Sequence, residues 1–118
     1  MQPEAERDAG YLWDMREAAR DCIDFIKDAT YAQFCENKMM RSAVERRLEV
    51  LGEAAGRVSD TLQAEHPDIP WKEIKGLRVV LAHRYDDLDL QQLWRAATTH
   101  SPELVPKLNV LLGTMEEK

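Results

Sequence analysis

MRSAVERRLEVLGEAAGRVSDTL, residues 40–62, sets an apolar residue at Met40, Val44, Leu48, Leu51, Ala55, Val58 and Leu62. The intervals of 4, 4, 3, 4, 3 and 4 trace one face of an α-helix and exclude the strict alternation of a half-buried strand. Asn37 lies just upstream, where its side-chain carbonyl can accept a backbone N–H of the first turn. This stretch therefore reads as a long amphipathic helix, and its stripe as helix core.

The same period appears on the N-terminal side. Leu12, Met15, Ala19, Cys22, Ile26 and Ala29 share one face of a helix expected from about Pro3 to Ala29, with Asp14, Arg20, Asp21, Asp24, Lys27 and Asp28 mostly at other angles. YAQFCEN (31–37) between the two reads as a short helical turn carrying Phe34. On the C-terminal side, AEHPDIPW (64–71) holds two prolines and must interrupt the helix. WKEIKGLRVVLAHRY (71–85) reads as a third helix of about four turns. Gly76 inside it is disfavoured by about 1 kcal/mol against Ala, which suggests close backbone packing or a kink. Asp86, Asp87 and Asp89 mark the next break. Asp89 with Gln92 resembles a capping box opening LQQLWRAATTH (90–100), and Ser101–Pro102 has the N-cap and N1 pairing that opens a last helix. Leu104, Leu108, Leu111 and Met115 share a face of that helix, and Pro106 sits early enough for its missing N–H to matter little. No segment alternates, repeats or forms a glycine-rich loop. The expected architecture is one all-α domain over residues 1–118, an antiparallel bundle of four to five helices.

Composition agrees with a folded chain. At 118 residues, 44% apolar and 32% charged, the sequence can bury one core without disulfides or metal. Apolar runs are only a few residues long, so no membrane span is expected. The acidic MQPEAERDAG start lacks the layout of a signal peptide, and a cytoplasmic location is expected. Cys22 and Cys35 have no metal-type spacing and read as inert thiols. The net charge of −6 argues against a general nucleic-acid coat, but it is unevenly spread. Residues 1–37 carry nine acids against four bases, whereas residues 38–84 carry nine bases against seven acids. A local polyanion site in the middle of the chain is compatible with that distribution.

Few residues could do chemistry. The three histidines are scattered, so no metal set is expected, and no cofactor motif occurs. His66 precedes Pro67 in a turn, and His100 ends a helix where it suits the terminal carbonyls. Both read as structural or solvated. His83 differs, because RVVLAHRY (78–85) sets it in an apolar helix with Arg78 and Tyr85 nearby. On an ideal helix Arg78 and Tyr85 lie about 20° apart, while His83 is about 140° from Arg78. The three converge only if the helix loosens near Ala82–Arg84 or if a second subunit completes the site. An imidazole could take a proton from a ribose 2′-OH or give one to a leaving 5′-oxygen. A guanidinium could hold a phosphate and offset the charge of a pentacoordinate transition state. The same string also fits the polar end of an amphipathic helix with a surface Arg and a capping His.

RRLEVLGEAAGRVSD (46–60), HPDIPWKEIKGLR (66–78) and LAHRYDDLD (81–89) follow the order and spacing of a known family, and that resemblance favours the first reading. With Arg78-x4-His83-x-Tyr85, the chain resembles the HEPN superfamily, and within it the HepT-type toxins, over about residues 8–112. The resemblance implies a helical bundle forming a homodimer, with Arg78 and His83 of both subunits facing a cleft. It further implies metal-independent endoribonuclease activity on RNA such as tRNA or mRNA, without a cofactor. The implied partner is an MntA-type minimal nucleotidyltransferase antitoxin that transfers AMP from ATP to Tyr85. One position departs from the family pattern: Val79 stands where a polar Asn is common, and Val can neither orient Arg78 nor bind a phosphate oxygen. A non-catalytic module that pairs with a nucleotidyltransferase is the alternative that this departure favours.

Overall fold

The computed structural model describes the backbone of residues 3–82 and 87–116, and the side chains of those residues except 78–80, 82, 87–89 and 116. Arg78, Val79, His83 and Tyr85 therefore have no described side chain, and His83 and Tyr85 lie wholly outside the described residues.

The expected all-α class holds. Helices α1 (Glu4–Phe25) and α3 (Lys38–Arg57) form the spine, joined through a short α2 (Tyr31–Glu36). Their pairing is antiparallel, because Asp8 meets Ser59, Asp21 meets Arg47 and Cys22 meets Val44. The two stripes read from the sequence form the seam: Leu12, Met15, Ala19, Cys22, Val44, Leu48 and Ala55 are all fully buried. Each Leu so buried contributes about 1.5–3 kcal/mol, which is why these helices hold together where isolated ones would be marginal. Helix α5 (Trp71–Ala82) lies against α3, and α7 (Ser101–Glu116) lies against α1. No described helix is long and apolar enough to cross a membrane.

Three ends differ from the sequence reading, each for a local reason. Helix α1 stops at Phe25 rather than near Ala29; Asp28 adopts a positive φ of 65°, and Thr30 restarts the chain. Thr30 Oγ1 accepts from Gln33 N at 3.1 Å while Gln33 Oε1 accepts from Thr30 N at 2.8 Å, a reciprocal cap for α2. Asn37 caps α3 as expected, accepting from Met40 N at 2.9 Å.

The second difference is that the stripe from Met40 to Leu62 is not one helix. Val58 turns extended (ψ 139°), and Ser59 caps a separate α4 (Asp60–Glu65) by accepting from Leu62 N. Asp8 explains the break. Its buried carboxylate accepts from Ser59 N at 2.8 Å and from Ser59 Oγ at 2.7 Å, diverting the Ser59 N–H from the helical ladder.

The third is at the far end of the bundle. Helix α6 runs Asp87–Arg95, so Asp89 lies inside it and does not cap it. Ser101 has helical dihedrals (φ −63°, ψ −47°) and does not open a new helix. Instead a π-helical turn, Ala96–His100, joins α6 to α7 in one continuous helical path. Pro102 supplies the cause, since its ring would press on the Thr98 carbonyl in a regular α-helix and its nitrogen carries no hydrogen. The wider turn relieves this, and Ser101 sends both its N–H and its Oγ (2.8 Å) to Ala96 O. Gly76 also departs from expectation: a Cβ built there meets nothing within 4 Å, so no close backbone approach requires it.

Candidate functional site

Arg78 is the eighth residue of α5, four after Ile74 and three before Leu81. Trp71, Ile74 and Leu81 are all buried and seat this helix on α3. The start of α5 is fixed by the proline-rich loop before it: Trp71 Nε1 donates to His66 O at 2.9 Å, and Ile69 is buried beneath. Lys107 of α7 ties the same loop down by donating to Asp68 O at 2.7 Å. His66 thus serves through its carbonyl as a structural element, as its place before Pro67 suggests. Beyond the motif, α6 resumes at Asp87 and buries Leu93.

One turn before Arg78, α5 borders a largely apolar cavity of about 150 Å³. Leu48 and Leu51 of α3, Ile74 and Leu77 of α5, and Ala96 and His100 of the π turn are among its lining. His100 is exposed at this turn, in place of the helix end expected for it. Among the described residues no group of three or more His, Cys, Asp or Glu could hold a metal ion.

The thiols separate by environment. Burial pushes the Cys22 thiol up to about 12, with nearby Arg47 pulling it partly back and Asp21 adding a small push. Its Sγ donates to Val44 O at 3.9 Å. A thiol so placed carries negligible thiolate near neutrality, so it is not a nucleophile. Arg47 Nε sits 3.0 Å from Asp21 Oδ2, an ion pair held by proximity, because the N–H is not aimed well enough for a hydrogen bond. Arg41 donates to the Cys35 carbonyl and closes the α2–α3 corner.

Over residues 15–111 the sequence matches the family model described as ribonuclease HepT-like. That span includes the whole of Arg78-x4-His83-x-Tyr85. The chain belongs to the HepT-like ribonuclease family. A Methanocaldococcus jannaschii protein provisionally named RNase MJ1380 is 38% identical over 101 residues, covering 86% of this chain and 93% of the relative. A second protein of that organism, provisionally named RNase MJ0125, is 35% identical over 108 residues, 92% of this chain and 93% of its own length. A Thermococcus cleftensis protein, named with the same reserve ribonuclease HepT, is 33% identical over 101 residues, 86% of this chain and 92% of the relative. No solved structure matches the chain. The match begins within α1 and ends within α7, taking in α3, the proline loop and α5, so the family pattern is that of most of the bundle.

Proposed function

We propose that this chain is a metal-independent endoribonuclease, the toxin of a HEPN and minimal-nucleotidyltransferase pair. The observation that carries the reading is the HepT-like match through residues 15–111, with Arg78, His83 and Tyr85 at motif spacing inside it. In this reading His83 accepts the proton of a ribose 2′-OH. The 2′-oxygen attacks the adjacent phosphorus, and the bond to the 5′-oxygen breaks. A second imidazole, His83 of another copy, protonates that leaving oxygen, giving a 2′,3′-cyclic phosphate and a 5′-hydroxyl. Arg78 holds the phosphate and offsets the charge gained in the transition state. One copy offers too few groups for this, so the active species is a homodimer with a shared cleft.

Control falls to Tyr85. Its phenolic oxygen attacks the α-phosphorus of ATP bound to an MntA-like antitoxin, displacing pyrophosphate. The added AMP brings bulk and negative charge to a phosphate-binding cleft and opposes RNA there. Purified protein is expected to cut tRNA or mRNA in EDTA, and His83→Ala to slow cutting about 100-fold or more. Equal cutting by the variant removes His83 from catalysis. Incubation with the antitoxin and ATP is expected to add AMP to the Tyr85 peptide by mass; an unmodified peptide counts against this control. Val79 favours a second reading, a non-catalytic module that pairs with the nucleotidyltransferase. That reading requires capture of the partner with no RNA cleavage at any protein concentration.

A further inference from the structure

A second surface on the same helical path has the chemistry of an RNA subsite. Tyr31 of α2 and Trp94 of α6 form one wall of an open groove, completed by Gln91, Arg95, Thr98 and Thr99. Trp94 is half-buried, wedged against Phe34 (ring centroids 5.2 Å apart, 48° between planes) and Tyr31 (5.9 Å, 60°). Phe34 is fully buried, so the indole is braced from behind while part of it stays open. Trp71 donates its indole N–H to His66 O, whereas Trp94 has no hydrogen-bond acceptor for its indole among the described residues. Arg95 and Gln91 are exposed, and Arg95 forms no ion pair with a described side chain. The π turn bears on the same groove: Thr98 Oγ1 donates to Trp94 O at 2.7 Å, and Thr98 and Thr99 are part of its lining.

We infer that this groove binds an unpaired nucleotide of the RNA substrate, with its base against Trp94 and its phosphate on Arg95. Aromatic faces and guanidinium planes are what unpaired RNA bases stack on, and a braced indole offers that face with little ordering left to do. The groove begins at Gln91, four residues or about 6 Å along α6 from Asp87, where the chain re-enters helix after the motif. A strand cut at the motif could reach it within a few nucleotides. The inference rests on the proposed ribonuclease function and extends it to substrate path.

The test measures binding of a short unstructured RNA to full-length His83→Ala protein, in which cutting is slowed about 100-fold or more, alongside cleavage in the His83 background. Arg95→Ala is expected to weaken RNA binding and lower the slope of log affinity against log salt by about 0.7. Trp94→Leu, which keeps apolar bulk against Phe34, is expected to weaken binding about tenfold, with little change in salt slope. A thermal melt and Gln91→Ala, which leaves Phe34 packing untouched, separate loss of the groove from loss of fold. Unchanged affinity, salt slope and cleavage in Arg95→Ala and Gln91→Ala, with cleavage still lost in His83→Ala, overturn the groove and leave the ribonuclease reading standing. Parent protein that neither binds nor cuts RNA overturns both. Loss of antitoxin capture with RNA binding intact assigns the surface to a protein partner and also overturns the inference.

Discussion

Two serines of this bundle each behave in the opposite way to what their local sequence suggests. Ser59 follows a long apolar stripe that continues past it, yet the chain breaks there and starts α4 anew. Ser101 precedes a proline in an apparent helix start, yet the chain runs through it without a break. The difference lies in where each serine finds an acceptor. Ser59 gives both donors to Asp8, fifty-one residues away on another helix, and cannot also serve the ladder of α3. Ser101 gives both donors to Ala96 O within its own turn, which keeps that turn helical and wide. A serine's role at a helix junction is thus decided by the nearest unfilled acceptor, and one of these two acceptors is invisible to local sequence.

Asp8→Ala is the sharpest way to break this contrast. It removes the acceptor of two charge-assisted bonds at a buried site, and a loss of about 3 kcal/mol in urea denaturation is expected. A loss under about 1 kcal/mol means that the break at Ser59 is held by something else. Ser59→Ala keeps the backbone N–H bond to Asp8 but removes the hydroxyl bond and the cap on Leu62 N, so about 1–2 kcal/mol is expected. The double variant should be less destabilised than the two losses added together, because they share one bond; strict additivity would deny the coupling.

Ser101→Ala tests the other half and should do less. The Ala96 carbonyl loses its hydroxyl donor but keeps the Ser101 N–H, so a loss of about 1 kcal/mol or less is expected. A loss matching that of Asp8→Ala would show that the two junctions are not distinct in kind.

The contrast also explains what could be read from residues alone. Both long stripes, the Asn37 cap, the Phe34 turn and the proline break were legible, because each depends on partners within a turn or on a burial period. The Ser59 break depends on Asp8, one acid among nine in the first 37 residues, with nothing local to mark it. The continuity through Ser101 was missed because Ser–Pro is a strong start signal whose alternative, a widened turn, carries no signature of its own. Arg78, His83 and Tyr85 are proposed from resemblance and not from helical spacing, since an ideal helix does not put all three on one face. Tyr31 and Trp94 had no such marker: they come from separate helices, and only the fold brings their rings together.

Pro102→Ala should have the smallest effect and gives the finest test. The alanine restores an N–H that can reach Thr98 O and removes the ring that presses on it, which favours a regular turn. Against this, the unfolded chain regains the freedom that proline had taken from it, worth about 0.4–1 kcal/mol. The two nearly cancel, so stability should change by less than about 1 kcal/mol. The turn itself is the more telling readout. If Pro102 causes the π turn, the variant should gain hydrogen-exchange protection at residue 102 and lose the Ser101-to-Ala96 pattern as that N–H moves to Ala97 O. A variant that keeps the wide turn would shift the cause from the proline to packing at its two ends, where Leu93 and Leu104 are each nearly fully buried.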